Sequence, residues 1–247
     1  MKINISIIMA TLNSEKFVRQ AIESIIRQEI EELEIIVVDG GSEDRTIQII
    51  NEFNSDKIKI IEGKDSGIAE AWNKGVRVAR GELIGMLNSD DFYEINVLKK
   101  VIEQIGGSGE PVIGYGNVSM IDDSGNIIKQ VKGEQRSKIR LLNGFGFMHT
   151  SVIINRQAFD LIGPFNEKIR VAIDTDWLLR CVFRKVKFQK ISNHVYMRTG
   201  GISENYKYTG MGEYADALLR NGYSEKHMVL FYVFRALGHL FKLLKLK

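Results

Sequence analysis

Residues 33–42 read LEIIVVDGGS, and the architecture can be worked outward from that run. Ile35–Val38 are all branched at Cβ and do not alternate with polar residues, the pattern of a strand buried on both faces, and the run stops in Asp39-Gly40-Gly41-Ser42. Residues 3–10, INISIIMA, repeat the pattern; they are too short, and too soon broken by TLNSEKF, for a signal peptide. Residues 57–63, KIKIIEG, form a third, alternating strand. The intervening stretches 15–28 and 43–54 are helical, the second opening on Ser42, Glu43 and Asp44 as an N-terminal cap. Strand and helix in this alternation predict a parallel α/β sheet. A further helix, 67–79, leads to a strand at 82–88 that ends in Ser89-Asp90-Asp91.

Beyond residue 105 the pattern changes. Gly106, Gly107 and Gly109 mark a turn, and strands at 112–121 and 126–132 are joined by DDSG, a hairpin signal. SVIINRQAFDLIG supplies a strand and a helix, DTDWLLRCVFRK a helix, and KFQKISNHVYMRT a further strand. There is no internal repeat or low-complexity linker, and the only prolines are Pro111 and Pro164, so the chain reads as one domain over 1–205 followed by a helical tail over 206–247. With 44% hydrophobic and 26% charged residues among 247, the composition is globular and excludes a largely disordered chain. The 34 basic residues nearly balance 31 acidic ones, leaving +3, so nucleic acid is not an expected partner. A single cysteine, Cys181, excludes an intrachain disulfide and a cysteine-held zinc, and favours a reducing, cytoplasmic compartment.

In a parallel sheet the loops at the carboxyl ends of the strands form the ligand crevice, so the polar residues that follow the buried runs are the informative ones. Thr11 and Asn13 follow the first strand, Asp39 the second, and Asn88-Ser89-Asp90-Asp91 the fourth. Adjacent carboxylates repel each other unless a cation neutralises them, and hard oxygen ligands in that position suit Mg²⁺ or Mn²⁺ bridging a diphosphate. The alternative is that Asp90 and Asp91 cap the following helix.

The stretches ISIIMATLNSEKFVRQAIESIIRQ, IIVVDGGSEDRT, KDSGIAEAWNKGVRVARGELIGMLNSDD and GGIS, in this order over residues 3–205, resemble family 2 glycosyltransferases. These are inverting enzymes of the GT-A type. The resemblance implies a Rossmann-like, mostly parallel central sheet flanked by helices, with a nucleotide-sugar half over about 1–105 and an acceptor half over about 106–205. It places Thr11 and Asn13 beside the nucleotide and makes Asp39 the carboxylate that accepts from the base, usually uracil, though guanine or thymine N–H would serve as well. Asp65, with Asn73 and Lys74, matches the segment that lies over the donor, Lys74 offering charge to the diphosphate or else belonging to a solvated helix face.

The family's Asp-x-Asp motif is altered here. Asn88 stands at its first position and can still accept from a ribose or sugar hydroxyl. Asp90 matches the metal-ligating position, with Asp91 beside it in reach of the sugar or a metal-bound water. In VAIDTDWLLRC the resemblance makes Asp174 the general base of an in-line displacement, with Asp176 the alternative and a pair of helix-capping acids the structural reading. His149 matches a polar position bordering the donor sugar or acceptor. His194 and RTGGIS (198–203) match a loop that closes over the diphosphate, with Arg198 its basic candidate.

The last residues, MVLFYVFRALGHLFKLLKLK (228–247), place Arg235, His239 and Lys242 on one helix face within an otherwise apolar surface, extended by Lys245 and Lys247. That is the pattern of an amphipathic interfacial helix, drawn to anionic lipid at the inner face of the cytoplasmic membrane, or of a terminal helix packed on the domain or on a second copy in a homodimer. A saccharide or lipid-linked saccharide acceptor, and a place in cell-surface polysaccharide or glycolipid assembly, follow from the resemblance. A sugar nucleotidyltransferase would need a glycine-rich phosphate loop after the first strand, and ATLNSEKF has no glycine. A catalytically degenerate nucleotide- or metal-binding module is the remaining alternative.

Overall fold

The computed structural model describes residues 3–201, 205–233 and 236. Its strands are β1 (Ile5–Thr11), β2 (Leu33–Asp39), β3 (Ile58–Glu62), β4 (Leu83–Met86), β5 (Phe92–Tyr93), β6 (Val112–Ile121), β7 (Ile127–Val131), β8 (Val152–Asn155) and β9 (Lys187–Arg198). The helices are α1 (Val18–Ile26), α2 (Thr46–Asn51), α3 (Ile68–Val78), α4 (Val97–Ile105), α5 (Arg156–Ile162), α6 (Ile173–Phe183) and α7 (Lys207–Arg220). All nine strands join one sheet in the order β3-β2-β1-β4-β8-β6-β9-β5, with β7 added on β6.

The β1, β2, β3 and β4 pairings are parallel, as the strand–helix alternation requires. Strand β8 then enters antiparallel between β4 and β6, and β9 runs parallel to β6, so the sheet is mixed overall. The expected hairpin forms between β6 and β7.

The unalternating runs have a simple cause. Ile8, Ile36 and Val38 face a core shared with Trp72, Phe159, Trp177 and Leu218, whereas Ile5, Ile7, Met9, Ile35 and Val37 face a second core with Ile22, Ile50 and Val101. Helices cover both faces, so both faces must be apolar. In α1 the buried residues Val18, Ala21, Ile22 and Ile25 form one stripe at helical spacing. Helix α3 lies so close to β1 that a Cβ on Gly75 would stand 2.4 Å from Cγ2 of Ile8. Helix α2 is shorter than the sequence suggests because Asp44 accepts from the Thr46 amide (2.9 Å) and hydroxyl (2.5 Å), which starts the helix after it.

One buried charge is built into the sheet. Glu34 on β2 accepts from Ser6 Oγ at 2.6 Å and from Arg80 N and Nε at 2.7 and 2.9 Å. Burial works to raise its pKa, but the Ser6 and Arg80 donors prevail and hold the carboxyl below its ordinary value.

Helix α7 buries Tyr214, Ala217 and Leu218 in the same core as Trp177 of α6, and Met228 and Phe231 of the helical stretch 225–233 join them. On the outer side of that stretch Val229, Leu230, Tyr232 and Val233 are exposed. The basic positions Arg235, His239, Lys242, Lys245 and Lys247 lie outside the described residues, as do Ile202 and Ser203. Among the described residues no helix is long and apolar enough to cross a membrane.

Candidate active site

The carboxyl ends of β1, β2 and β4 meet on one edge of the sheet. Thr11 and Asp39 are register partners there, and Thr11 Oγ1 donates to Asp39 Oδ1 at 3.0 Å. Asp39 also accepts from Ser42 Oγ at 2.5 Å and from the amides of Gly41 and Ser42 at 3.0 and 2.8 Å. These bonds fix the orientation of the carboxylate. Asn13, with φ of 50°, joins the two loops: its amide donates to Ser42 Oγ and its Oδ1 accepts from Glu43 N, each at 2.9 Å. Three further links zip the same loops, Ser14 N to Thr46 Oγ1, Glu15 N to Asp44 Oδ2 and Arg45 N to Glu15 Oε2, at 2.7, 3.0 and 3.1 Å.

Asp65 closes over this edge. Its Oδ2 would lie 3.1 Å from a Cβ on Gly40, and its Oδ1 accepts from the Gly67 amide at 3.0 Å, so a side chain at residue 40 would press on it. Burial raises its pKa, against the pull of the Gly67 amide and the Lys74 charge. Lys74 itself points to Glu70, with Nζ 2.9 Å from Oε1, and to the Lys64 carbonyl at 3.2 Å. Asn73 is committed elsewhere: it bonds the Phe165 carbonyl (3.0 Å), the Phe165 amide (2.9 Å) and Glu167 Oε1 (2.8 Å), clamping α3 to the loop before α6.

At the end of β4 the adjacent acids separate into different environments. Asp91 is 1% exposed and accepts from Asn88 Nδ2, Thr150 Oγ1 and the Arg198 amide, each at 3.0 Å. Burial, and after it the Asp90 charge, push its pKa up to about 7. Asp91 is therefore a knot that ties β4 to the start of β8 and the end of β9, and Asn88 is one of its strands. Asp90 is only partly buried, and its own amide is its hydrogen-bond donor. Burial raises its pKa, while the charges of Arg198 and His149 oppose the rise and that of Asp123 adds to it. Among the described residues no three His, Cys, Asp or Glu side chains converge on a metal position. One protein carboxylate completed by diphosphate oxygens and water still suits Mg²⁺ or Mn²⁺, neither of which requires an all-protein cage.

The first turn of α6 carries both remaining candidates. On a helix, residues two apart point to different sides. Asp176 is buried and held by Arg180 Nε at 3.1 Å and Arg220 Nη2 at 3.0 Å. Asp174 faces the cleft, with Oδ2 3.5 Å from Nδ1 of His149. Trp72, Met86, Phe165 and Trp177 wall the pocket that His149 and Asp174 line.

Arg198 is buried and engaged. Its guanidinium lies over Phe17, 3.9 Å from the ring centroid, and donates to the Asp122 carbonyl at 3.0 Å and to Gln20 Oε1 at 2.6 Å. His194 is bonded to Ser119 Oγ at 2.9 Å and stacks on Tyr196. Sequence reasoning missed Phe17, Gln20 and Thr150, which hold Arg198 and Asp91; none of them stands in an acidic or glycine-rich signature.

The sequence profile described as Glycosyl transferase family 2 matches residues 6–163. The chain belongs to glycosyltransferase family 2. The matched span includes Thr11, Asn13, Asp39, Asp65, Lys74, Asn88, Asp90, Asp91 and His149, while α6 and Arg198 follow it. Among relatives, a PGL/p-HBAD biosynthesis glycosyltransferase of Mycobacterium bovis is 32% identical over 205 residues, covering 80% of this chain and 78% of its own. Among solved structures, S. aureus TarS in complex with UDP-GlcNAc superposes with a TM-score of 0.70 at 20% identity, over 91% of this chain and 69% of that one. The mannosyltransferase PcManGT of Pyrobaculum calidifontis, in complex with GDP-Man and Mn2+, does so with 0.66 at 15% identity, over 92% of this chain and 67% of that one. These likenesses give the family 2 chain its GT-A fold.

Proposed function

We propose that this glycosyltransferase moves a sugar from a nucleoside-diphosphate donor, a UDP-sugar in the first instance, to an acceptor hydroxyl with inversion at the anomeric carbon. The observation that carries the reading is that Asp174 lines a pocket walled by aromatic side chains, with its Oδ2 3.5 Å from Nδ1 of His149. Asp176, paired to two arginines, is not available for that work.

In the proposed reaction Asp174 takes the acceptor hydroxyl proton as the acceptor oxygen bonds to the anomeric carbon. The bond from that carbon to the β-phosphate oxygen breaks, and the electron pair leaves with the nucleoside diphosphate. Asp39 and Asp65 flank the base and ribose, the zipped loops of β1 and β2 hold that half of the site rigid, and Arg198 borders the diphosphate. Asp90 would hold a divalent cation. A bound Mg²⁺ or Mn²⁺ supplies positive charge to the departing diphosphate, and the Mn2+ complex of the mannosyltransferase neighbour supports such use.

The relative named for PGL/p-HBAD biosynthesis supports a glycolipid or polysaccharide product. The exposed Val229, Leu230, Tyr232 and Val233, leading into the basic and apolar residues 234–247, support peripheral attachment at the inner face of the cytoplasmic membrane, where a lipid-linked acceptor lies.

Thermal unfolding with UDP, GDP, dTDP or CDP, each with and without Mn²⁺, tests the donor side, because a ligand that binds only the folded chain raises its stability. The expected result is a metal-dependent rise with one nucleotide that disappears in Asp90→Ala. No rise with any of them, in folded protein, overturns the donor site. The anomeric configuration of the product, read by NMR, tests inversion.

A further inference from the structure

The general base of a displacement must be held to a fraction of an ångström, yet Asp174 sits in the first turn of a helix whose leading amides have no partner within the helix. The turn that leads into that helix, residues 170–172, is held from α7. Glu213 Oε1 accepts from Arg170 N at 2.9 Å, and its Oε2 accepts from Val171 N and Ala172 N at 2.8 and 2.9 Å. One carboxylate thus collects three backbone donors from the turn that leads into Asp174, the charge-assisted kind of bond that is shorter and stronger than a neutral one.

The same helix reaches α6 a second time, where Arg220 donates to Asp176, two residues beyond Asp174, at 3.0 Å. Glu213 and Arg220 are seven residues apart and share one side of α7. Gly210 is on that side too. A Cβ there would stand 2.8 Å from Cγ1 of Val171, so the absence of a side chain at residue 210 lets α7 close on the start of α6.

We infer that Glu213 on α7, with Arg220 and Gly210, is a positioning residue that sets the place of the Asp174 carboxylate. This rests on the reading of Asp174 as base. It assigns work to a segment beyond the family-matched residues, and it makes the acceptor side of the site depend on a helix that touches neither Asp39, Asp65 nor Asp90 through any of these bonds.

The test uses the full chain with Glu213→Ala, Glu213→Gln, Gly210→Ala and Arg220→Lys, beside Asp174→Asn and Tyr214→Phe. Tyr214→Phe removes the bond from the Tyr214 hydroxyl to the Leu141 carbonyl, which holds α7 without touching α6. Each variant is measured for kcat, for donor KM and for stabilisation by UDP with Mn²⁺. A misplacement of about 1 Å costs on the order of 100-fold in rate. Glu213→Ala and Gly210→Ala are therefore expected to lose about 10- to 100-fold in kcat with donor KM and UDP stabilisation unchanged. Glu213→Gln, which keeps one acceptor oxygen, is expected to recover part of the loss, and Arg220→Lys, which keeps the charge, is expected to lose less kcat than Glu213→Ala. Tyr214→Phe is expected to lower the melting temperature and keep kcat.

Wild-type kcat in folded Glu213→Ala and Glu213→Gln overturns the inference, as does a fall in kcat that tracks melting temperature across all variants, Tyr214→Phe included. If Asp174→Asn keeps wild-type kcat, the reading of the base fails and the inference falls with it. If Asp174→Asn is inactive while the Glu213 variants are not, only the positioning role fails.

Discussion

Replacing Asp91 by asparagine changes how stability depends on pH, and the buried knot sets the size of the change. The carboxyl has an ordinary value of 3.8 and a folded value of about 7, raised chiefly by burial and then by Asp90. Between those values the folded chain holds a proton that the unfolded chain has released, so stability falls as pH rises through the window. The penalty is absent below the unfolded value and complete above the folded one. At ~1.36 kcal/mol per pKa unit the complete penalty is about 4 kcal/mol, of which roughly a third is already present at pH 5. Asparagine cannot ionise. Its carbonyl oxygen keeps an acceptor for Thr150 or the Arg198 amide, and Asn88 can turn its own oxygen toward the new amide. Relative to wild type, Asp91→Asn is expected to gain about 3 kcal/mol between pH 5 and pH 8. Urea unfolding of both proteins at pH 5, 6, 7 and 8, in EDTA so that no divalent cation shields the acids, measures this. Parallel stability curves across that range would refute the reasoning and mean that Asp91 ionises in the folded chain as readily as in water.

Asp174→Asn is expected to lower kcat by about 100- to 10,000-fold, the usual range for a positioned acid or base, while stabilisation by UDP and Mn²⁺ survives; steady-state kinetics and thermal shift separate the two. Asp176→Ala strips a buried carboxylate from Arg180 and Arg220 and is expected to cost about 3–5 kcal/mol in chemical unfolding, a loss of fold more than of chemistry. Gly75→Ala puts a methyl 2.4 Å from Cγ2 of Ile8 on a central strand. The overpacking is expected to outweigh the helix-propensity gain of about 1 kcal/mol and leave the chain roughly 1–2 kcal/mol less stable.

The parallel half of the fold was legible because burial on both faces leaves no room for polar alternation, so Ile7–Met9 and Ile35–Val38 declare themselves. The two-residue strand β5 was not, since it exists only because β9 arrives to pair with it and has no periodicity of its own. The acidic strand ends were visible as a group, but nothing local separates Asp90 from Asp91. Their division depends on the Thr150 hydroxyl and on the Arg198 amide, 107 residues further along the chain. The same holds for Asp174 and Asp176, which share one helical turn and are told apart by Arg220, 44 residues away. Glu213 could not be read at all: in sequence it is one polar residue on an ordinary helix, and only the docking of α7 on α6 brings it to three amides.

Strand β9 also orders events during synthesis. Its last residue supplies the amide that Asp91 accepts and the guanidinium that reaches back to Gln20, a span of 178 residues. Contacts of such separation form late, after the local units around them. A nascent chain that has not yet emerged past residue 198 has β1 to β4 in hand but lacks the partner of β5 and one donor to the buried acid. The edge formed by the carboxyl ends of β1, β2 and β4 is thus completed by the last residue of the last strand among the described residues, and a chain halted early carries the parallel sheet without a finished mouth.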